Sequence, residues 1–201
     1  MAWAPAYASV AELRSFIQDG GTSNTAELTL AIETASRSVD KACNRQFGLV
    51  AASEDRFYTA FYDRYACRWV IEIDDLMTVT GLVINAALTE GVYDKVIDVF
   101  TLTPTNSAVI GRPWRKIVVG LASANQPVLH GVQVTAKYGW TAVPDTIKMA
   151  TLIQAARLFA RRAAPFGIAG NPEVGQLRLP DKLDVDLVVS VQPYVRHWGA
   201  V

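Results

Sequence analysis

Cysteine and histidine are scarce in this sequence, and neither sign of charge is in surplus: two cysteines, two histidines, and 19 Lys and Arg balanced by 19 Asp and Glu in 201 residues. Two cysteines do not make a disulfide framework, and Cys43 and Cys67 read as two buried thiols in a reducing cytosol. Neither His130 nor His197 has a neighbouring Cys or His at ligand spacing, which argues against a structural zinc site. A zero net charge argues against coating nucleic acid, because that requires many uncompensated cations to displace phosphate counterions. It is compatible with dense packing of like subunits. No uncharged apolar run approaches ~20 residues, so no membrane span is expected. The opening MAWAPAYASVAELRSF lacks a basic start followed by an apolar run, so the expectation is a soluble chain made inside a cell. With 51% hydrophobic residues a sizeable core is available, and disorder is excluded. The length suits one large domain or two small ones folded together.

Catalytic signatures are missing too. There is no Gly-x-x-x-x-Gly-Lys phosphate loop, no Gly-x-Gly-x-x-Gly after a strand, no Gly-x-Ser-x-Gly elbow and no His-Glu-x-x-His. Asp74-Asp75 adjoins a strand end, where alternation points the two carboxylates to opposite faces. Asp94 and Asp98 suit a solvated strand face, and only a chance approach of His130 to Asp74 or Asp98 would assemble an acid–base pair. No enzyme, cofactor or metal is expected.

What is present is periodicity. Ser9 to Glu12 forms a capping box opening a helix with Leu13, Phe16 and Ile17 on its apolar face, stopped by Gly20-Gly21. Asn24 to Glu27 reads as a second box. From there Leu28, Ile32, Ala35, Val39 and Cys43 recur at helical spacing until Gly48. Between 49 and 140, RFYTAFY, RWVIEID, TVTGLVIN, YDKVIDVFTL, RKIVVGL and GVQVTAKYGW read as short antiparallel strands separated by turn residues. Pro144 and Asp145 then open a long helix to Ala163, apolar on most faces and so requiring cover on most sides. FGIAGNPEVGQLRLP reads as a loop, and Asp184 to Gln192 as a short helix with Val185, Val188 and Val191 in line, stopped by Pro193. The fold class is α+β: a helical body from 1–48 and 141–201, with an inserted antiparallel β domain at 49–140.

Three groups are candidates for function. Arg157 and Arg161 share a helix face, with Arg162 beside them and Lys148 earlier on the same helix. The three arginines suit the helix C-terminus and pairing to acids such as Asp40 or Glu33, or the phosphates of DNA or the carboxylates of a neighbouring subunit. Phe57, Tyr58, Phe61, Tyr62 and Tyr65 suit sheet packing, or stacking on a ligand. The terminal Tyr194, Arg196, His197 and Trp198 read as an exposed terminus. Together with the short helix they either fold back or dock on a partner, where Tyr, Trp and Arg are common anchors.

Three passages resemble the head–tail connector (neck adaptor) proteins of long-tailed bacteriophages. YASVAELRSFI followed by LTLAIETASRSVDKACNRQFG is similar to the family's opening helix pair, ending in Cys43, Arg45 and Phe47. VTAKYGWTAVPDTIKMATLIQAARLFARRAAPFGIAG is similar to its strand, Tyr-Gly-Trp, Val-Pro and long helix, here Tyr138, Gly139, Trp140, Val143, Pro144, Arg161 and Arg162. VSVQPYVR is similar to its terminal element, with Pro193, Tyr194 and Arg196. The long β-rich middle looks like an enlarged form of the adaptor. The resemblance implies a non-enzymatic virion protein at the neck, assembled in the host cytoplasm as a homo-oligomeric ring, usually of twelve subunits. It implies the portal protein and a stopper or tail-completion protein as partners, with double-stranded DNA passing through without tight binding. The resemblance also implies a portal-docking arm of Val185, Val188, Val191, Pro193, Tyr194, Arg196 and Trp198, and a ring or channel helix bearing Lys148, Arg157, Arg161 and Arg162. Rival readings are another neck component such as a stopper, a small ligand-binding or enzymatic β domain, and a DNA-binding protein acting through Arg157 and Arg161.

Overall fold

The computed structural model describes residues 3–120, 131–162, 168–169, 177–178 and 185–197. Helices and antiparallel sheets both contribute, so the class is α+β. The chain divides into two compact units, Met1–Phe47 with Val143–Val201, and Gly48–Ala142.

In the first unit, α1 (Val10–Ile17) opens on the expected box. Ser9 Oγ accepts the Glu12 N–H at 3.2 Å, and a Glu12 carboxylate oxygen accepts the Ser9 N–H at 2.7 Å. The helix ends earlier than expected, because Gln18 turns left-handed (φ 56°) and Arg14 O accepts the Asp19 N–H. At α2 (Thr25–Cys43) the second expected box does not form. Asn24 is left-handed (φ 61°) and its side chain makes no cap bond. The Arg14 guanidinium ties this turn instead, donating to Ser23 O at 2.6 Å and Thr25 Oγ1 at 3.0 Å. A left-handed Asn44 ends α2 short of Gly48.

The helical core joins Leu13, Leu28, Ala31, Ile32 and Ala35 to Leu152 and Ala155 of α3 (Asp145–Arg161). Each fully buried leucine contributes about 1.5–3 kcal/mol. The sequence leads one to expect α3 to be an unfinished apolar surface, but α1, α2 and α4 (Val185–Val191) pack against it within its own unit. Among its described large apolar side chains only Met149 is exposed. The segment read as a structureless loop contains a short antiparallel ladder, Ile168–Ala169 pairing with Leu177–Arg178. Backbone pairing of two residues a side leaves no periodic signal for a sequence reader.

The second unit carries two four-stranded antiparallel sheets. One has the order β1-β8-β4-β5 (Glu54–Tyr58, Val132–Ala136, Val83–Ala86, Lys95–Val96). The other has the order β2-β3-β7-β6 (Ala60–Asp63, Arg68–Leu76, Trp114–Gly120, Phe100–Thr103). Two segments that read as single strands are each shared between the sheets: RFYTAFY divides at Thr59, and YDKVIDVFTL divides between Val96 and Phe100. Alternation places Ile84, Ala86, Val132, Val134 and Ala136 inward on the first sheet, and Ile71, Ile73, Ile117 and Val119 inward on the second.

Candidate assembly interface

The residues that carry the opening and closing parts of the resemblance meet in the helical unit. Phe47 is fully buried, and its ring is met edge-on by Tyr7 (5.7 Å between centroids) and by Tyr194 (5.9 Å). Each such pair contributes about 0.5–1.5 kcal/mol beyond its burial. The Phe47 N–H donates to Tyr7 Oη at 2.8 Å, and Tyr7 Oη donates to the Asp40 carboxylate, which Arg37 pairs at 3.2 Å. Burial and the Asp40 carboxylate push the Tyr7 phenol far above its ordinary value, and burial also raises Asp40. The Arg196 N–H donates to Cys43 O at 2.8 Å, and the Arg196 side chain is buried. The terminal segment, expected to be exposed, is therefore a strap closed over the end of α2. The cause is non-local: Cys43 offers its carbonyl in the last residue of α2, and Phe47 offers an aromatic edge just past the helix end.

Within α4 the expected line of valines is broken. Leu187 and Val191, four residues apart, face inward at 1% exposure each. Val188 is 47% exposed and Val189 is 62% exposed. Pro193 lies in the following 3-10 turn, Gln192–Tyr194, and His197 is exposed. The side chain of Val185 and all of Trp198 lie outside the described residues. The signal missed in the sequence was Leu187, which with Val191 shows the inward side of the helix.

Lys148 and Arg162 are paired inside the helical unit. Lys148 Nζ pairs with Glu12 Oε1 at 2.8 Å, joining α3 to α1; this pairing lowers Glu12 to about 2 and raises Lys148. The Glu12 shift also draws on the Ser9 hydrogen bonds. Arg162 lies 3.9 Å from Glu27 and sits over the Phe159 ring, while Arg157 and Arg161 are half-buried and also engaged. Arg162 thus follows the internal-acid reading, with Glu27 as the acid rather than Glu33 or Asp40.

Tyr138-Gly139-Trp140 closes the β unit. Trp140 is buried and its indole N–H donates to Asp75 Oδ2 at 3.0 Å, while Gly139 adopts φ 109°, a conformation suited to glycine. Asp74 faces the other way, accepting from Arg56 at 2.7 Å and from Tyr58 Oη at 3.0 Å. This separation is what strand alternation predicts, and it makes no carboxylate pair. Asp94 and Asp98 are exposed, and His130 lies outside the described residues. The aromatic group is dispersed over both sheets: Phe57 packs on Tyr93, Tyr58 on Tyr138, Tyr62 on Trp69, and Tyr65 stands fully exposed. Among the described residues no three Cys, His, Asp or Glu side chains are grouped to hold a metal, and no helix is long and apolar enough to cross a membrane.

No known family profile matches the chain, and no curated protein does. Among solved structures, the neck of an empty GTA (gene transfer agent) particle, computed with C6 symmetry, is similar to it. The two share 19% identity at a TM-score of 0.51, and the match covers 100% of this chain and 96% of that one. Over its whole length, the chain shares its fold with a chain from that neck structure.

Proposed function

We propose that this chain is a structural, non-enzymatic subunit of the neck of a phage-like particle. In this reading it is the head–tail adaptor, a ring beneath the portal that prolongs the DNA channel and carries the stopper or tail. The observation that carries the reading is end-to-end agreement of fold with a neck chain, both units included. The cyclic symmetry of that neighbour supports a ring, for which the sequence resemblance implies twelve copies. Internal pairing of Lys148 and Arg162 also fits, since a conduit must let DNA slide and uncompensated cations would hold phosphates. The helical unit, 1–47 with 143–201, is the adaptor body.

Portal docking falls to the outward side of α4, where Val188 and Val189 are exposed, while Val191, Tyr194 and Arg196 hold the segment in place. Removing everything after Leu183 would therefore damage the fold along with the docking surface. The experiment is electron microscopy of particles made with a tagged chain. A gold label at the junction of capsid and tail is the expected result; a label on the capsid shell, along the tail or absent from particles refutes the reading.

A further inference from the structure

The β unit has no role in the account so far, yet it carries two exposed patches of opposite character. The first is the apex of the β2–β3 hairpin. Asp63 Oδ1 accepts the N–H groups of Tyr65 (2.9 Å) and Ala66 (3.1 Å), and Cys67, exposed in this turn and not buried as the sequence led one to expect, closes it at φ 51°. This preorganised turn projects Tyr65 entirely into solvent between exposed Arg64 and Arg68. The second patch runs along the β5 edge of one sheet and into the β6 edge of the other. Here exposed Glu90, Asp94 and Asp98 alternate with Val92, Val96 and Val99, which are 50%, 62% and 72% exposed, and Lys95 is the one cation in the run. Among the described residues none of these two arginines and three acids enters an ion pair.

Their placement matters as much as their charge. The hairpin includes β2, one edge of its sheet, and Asp98-Val99 leads into β6, the opposite edge. Three strand spacings, about 14 Å, separate the two edges. The apex caps the β2 side of its sheet, whereas the strip runs from β5 of the other sheet to Asp98-Val99 beside the β6 edge, and among the described residues no ion pair joins the two patches within one copy. They match between two copies set side by side. Such a contact is heterologous, with different patches on the two sides, and it generates a ring when the rotation between copies closes and an open filament when it does not.

We propose that the β unit is a lateral clasp: Tyr65, flanked by Arg64 and Arg68, seats on the Glu90–Val99 strip of the next copy of this chain. Tyr and Arg are typical interface anchors, and the fixed turn limits the ordering cost of binding. The clasp rests on the ring reading only in supposing side-by-side copies.

The test is mass photometry of the full-length chain at low salt over a range of concentrations. Wild type is expected to form oligomers. Arg64→Glu with Arg68→Glu, and separately Asp94→Lys with Asp98→Lys, should each raise the concentration needed by on the order of tenfold or more. A chain carrying all four substitutions should recover, as should a mixture of the two paired variants; melting curves matching wild type show that the variants fold. The proposal is overturned if wild type stays monomeric, if either paired variant assembles normally, or if the fourfold variant does not recover. It is also overturned if reversing the arginines removes only salt-sensitive retention on DNA, which would assign the projection to nucleic acid. The two readings fail separately. A monomeric chain whose label still marks the neck sinks the clasp alone, whereas a clasp-dependent oligomer absent from necks sinks the neck reading alone.

Discussion

Two neighbouring residues of α4 should respond to truncation in opposite ways. Leu187 is 1% exposed and Val189 is 62% exposed. Leu187→Ala removes a buried isobutyl group from the strap and leaves a void against α3 and α2, a change that costs about 2–5 kcal/mol in packed cores. In a cooperative unit of about a hundred residues each kcal/mol lowers the melting temperature by about 4–8 °C, so a fall of about 10 °C or more is expected. Val189→Ala removes little buried area and should stay within about 0.5 kcal/mol of wild type. The assay is a thermal melt followed by circular dichroism, paired with limited proteolysis of the strap. Assembly onto portal-bearing heads is then measured at a temperature where both variants are folded. There Val189→Asp is expected to impair attachment and Leu187→Ala is not. If Leu187→Ala melts with wild type and leaves the strap protected, the strap is not part of the helical core, and the division of α4 into a packing side and a docking side is wrong.

Two further outcomes follow from the same structure. Trp140→Phe deletes the indole donor to a buried Asp75 carboxylate and should destabilise the β unit by about 1–3 kcal/mol, read as a lower denaturant midpoint; an unchanged midpoint would show that the bond contributes nothing. Glu12, held at about 2 when folded against an ordinary 4.5, adds stability that is present above about pH 4.5 and is lost as pH falls toward 2. A Glu12→Gln chain should therefore show a flatter fall of melting temperature over that interval, and a slope identical to wild type would refute the contribution.

Local chemistry is what the sequence expressed well. The Ser9–Glu12 box, the inward stripe of α2 and the change of period at residue 49 depend on hydrogen bonds and spacings a few residues long, and they appear where the pattern puts them. Helix ends were less legible, because Gln18 and Asn44 turn left-handed ahead of the glycines expected to stop α1 and α2. Thr59 likewise divides one apparent strand between two sheets, since alternation specifies which face a residue takes and not which sheet receives it.

The sequence by itself determined the α+β order and the apolar faces that had to be covered. Only the tertiary structure decided what covers those faces. Tyr194 and Arg196 close on Phe47 and Cys43, Leu187 turns inward while Val188 and Val189 turn outward, and Arg64 and Arg68 flank the β2–β3 turn while Asp98 leads into the far edge strand β6. The physical reason is that periodicity records which residues share a side of one element. The neighbour that side meets is selected by contacts between residues far apart in the chain.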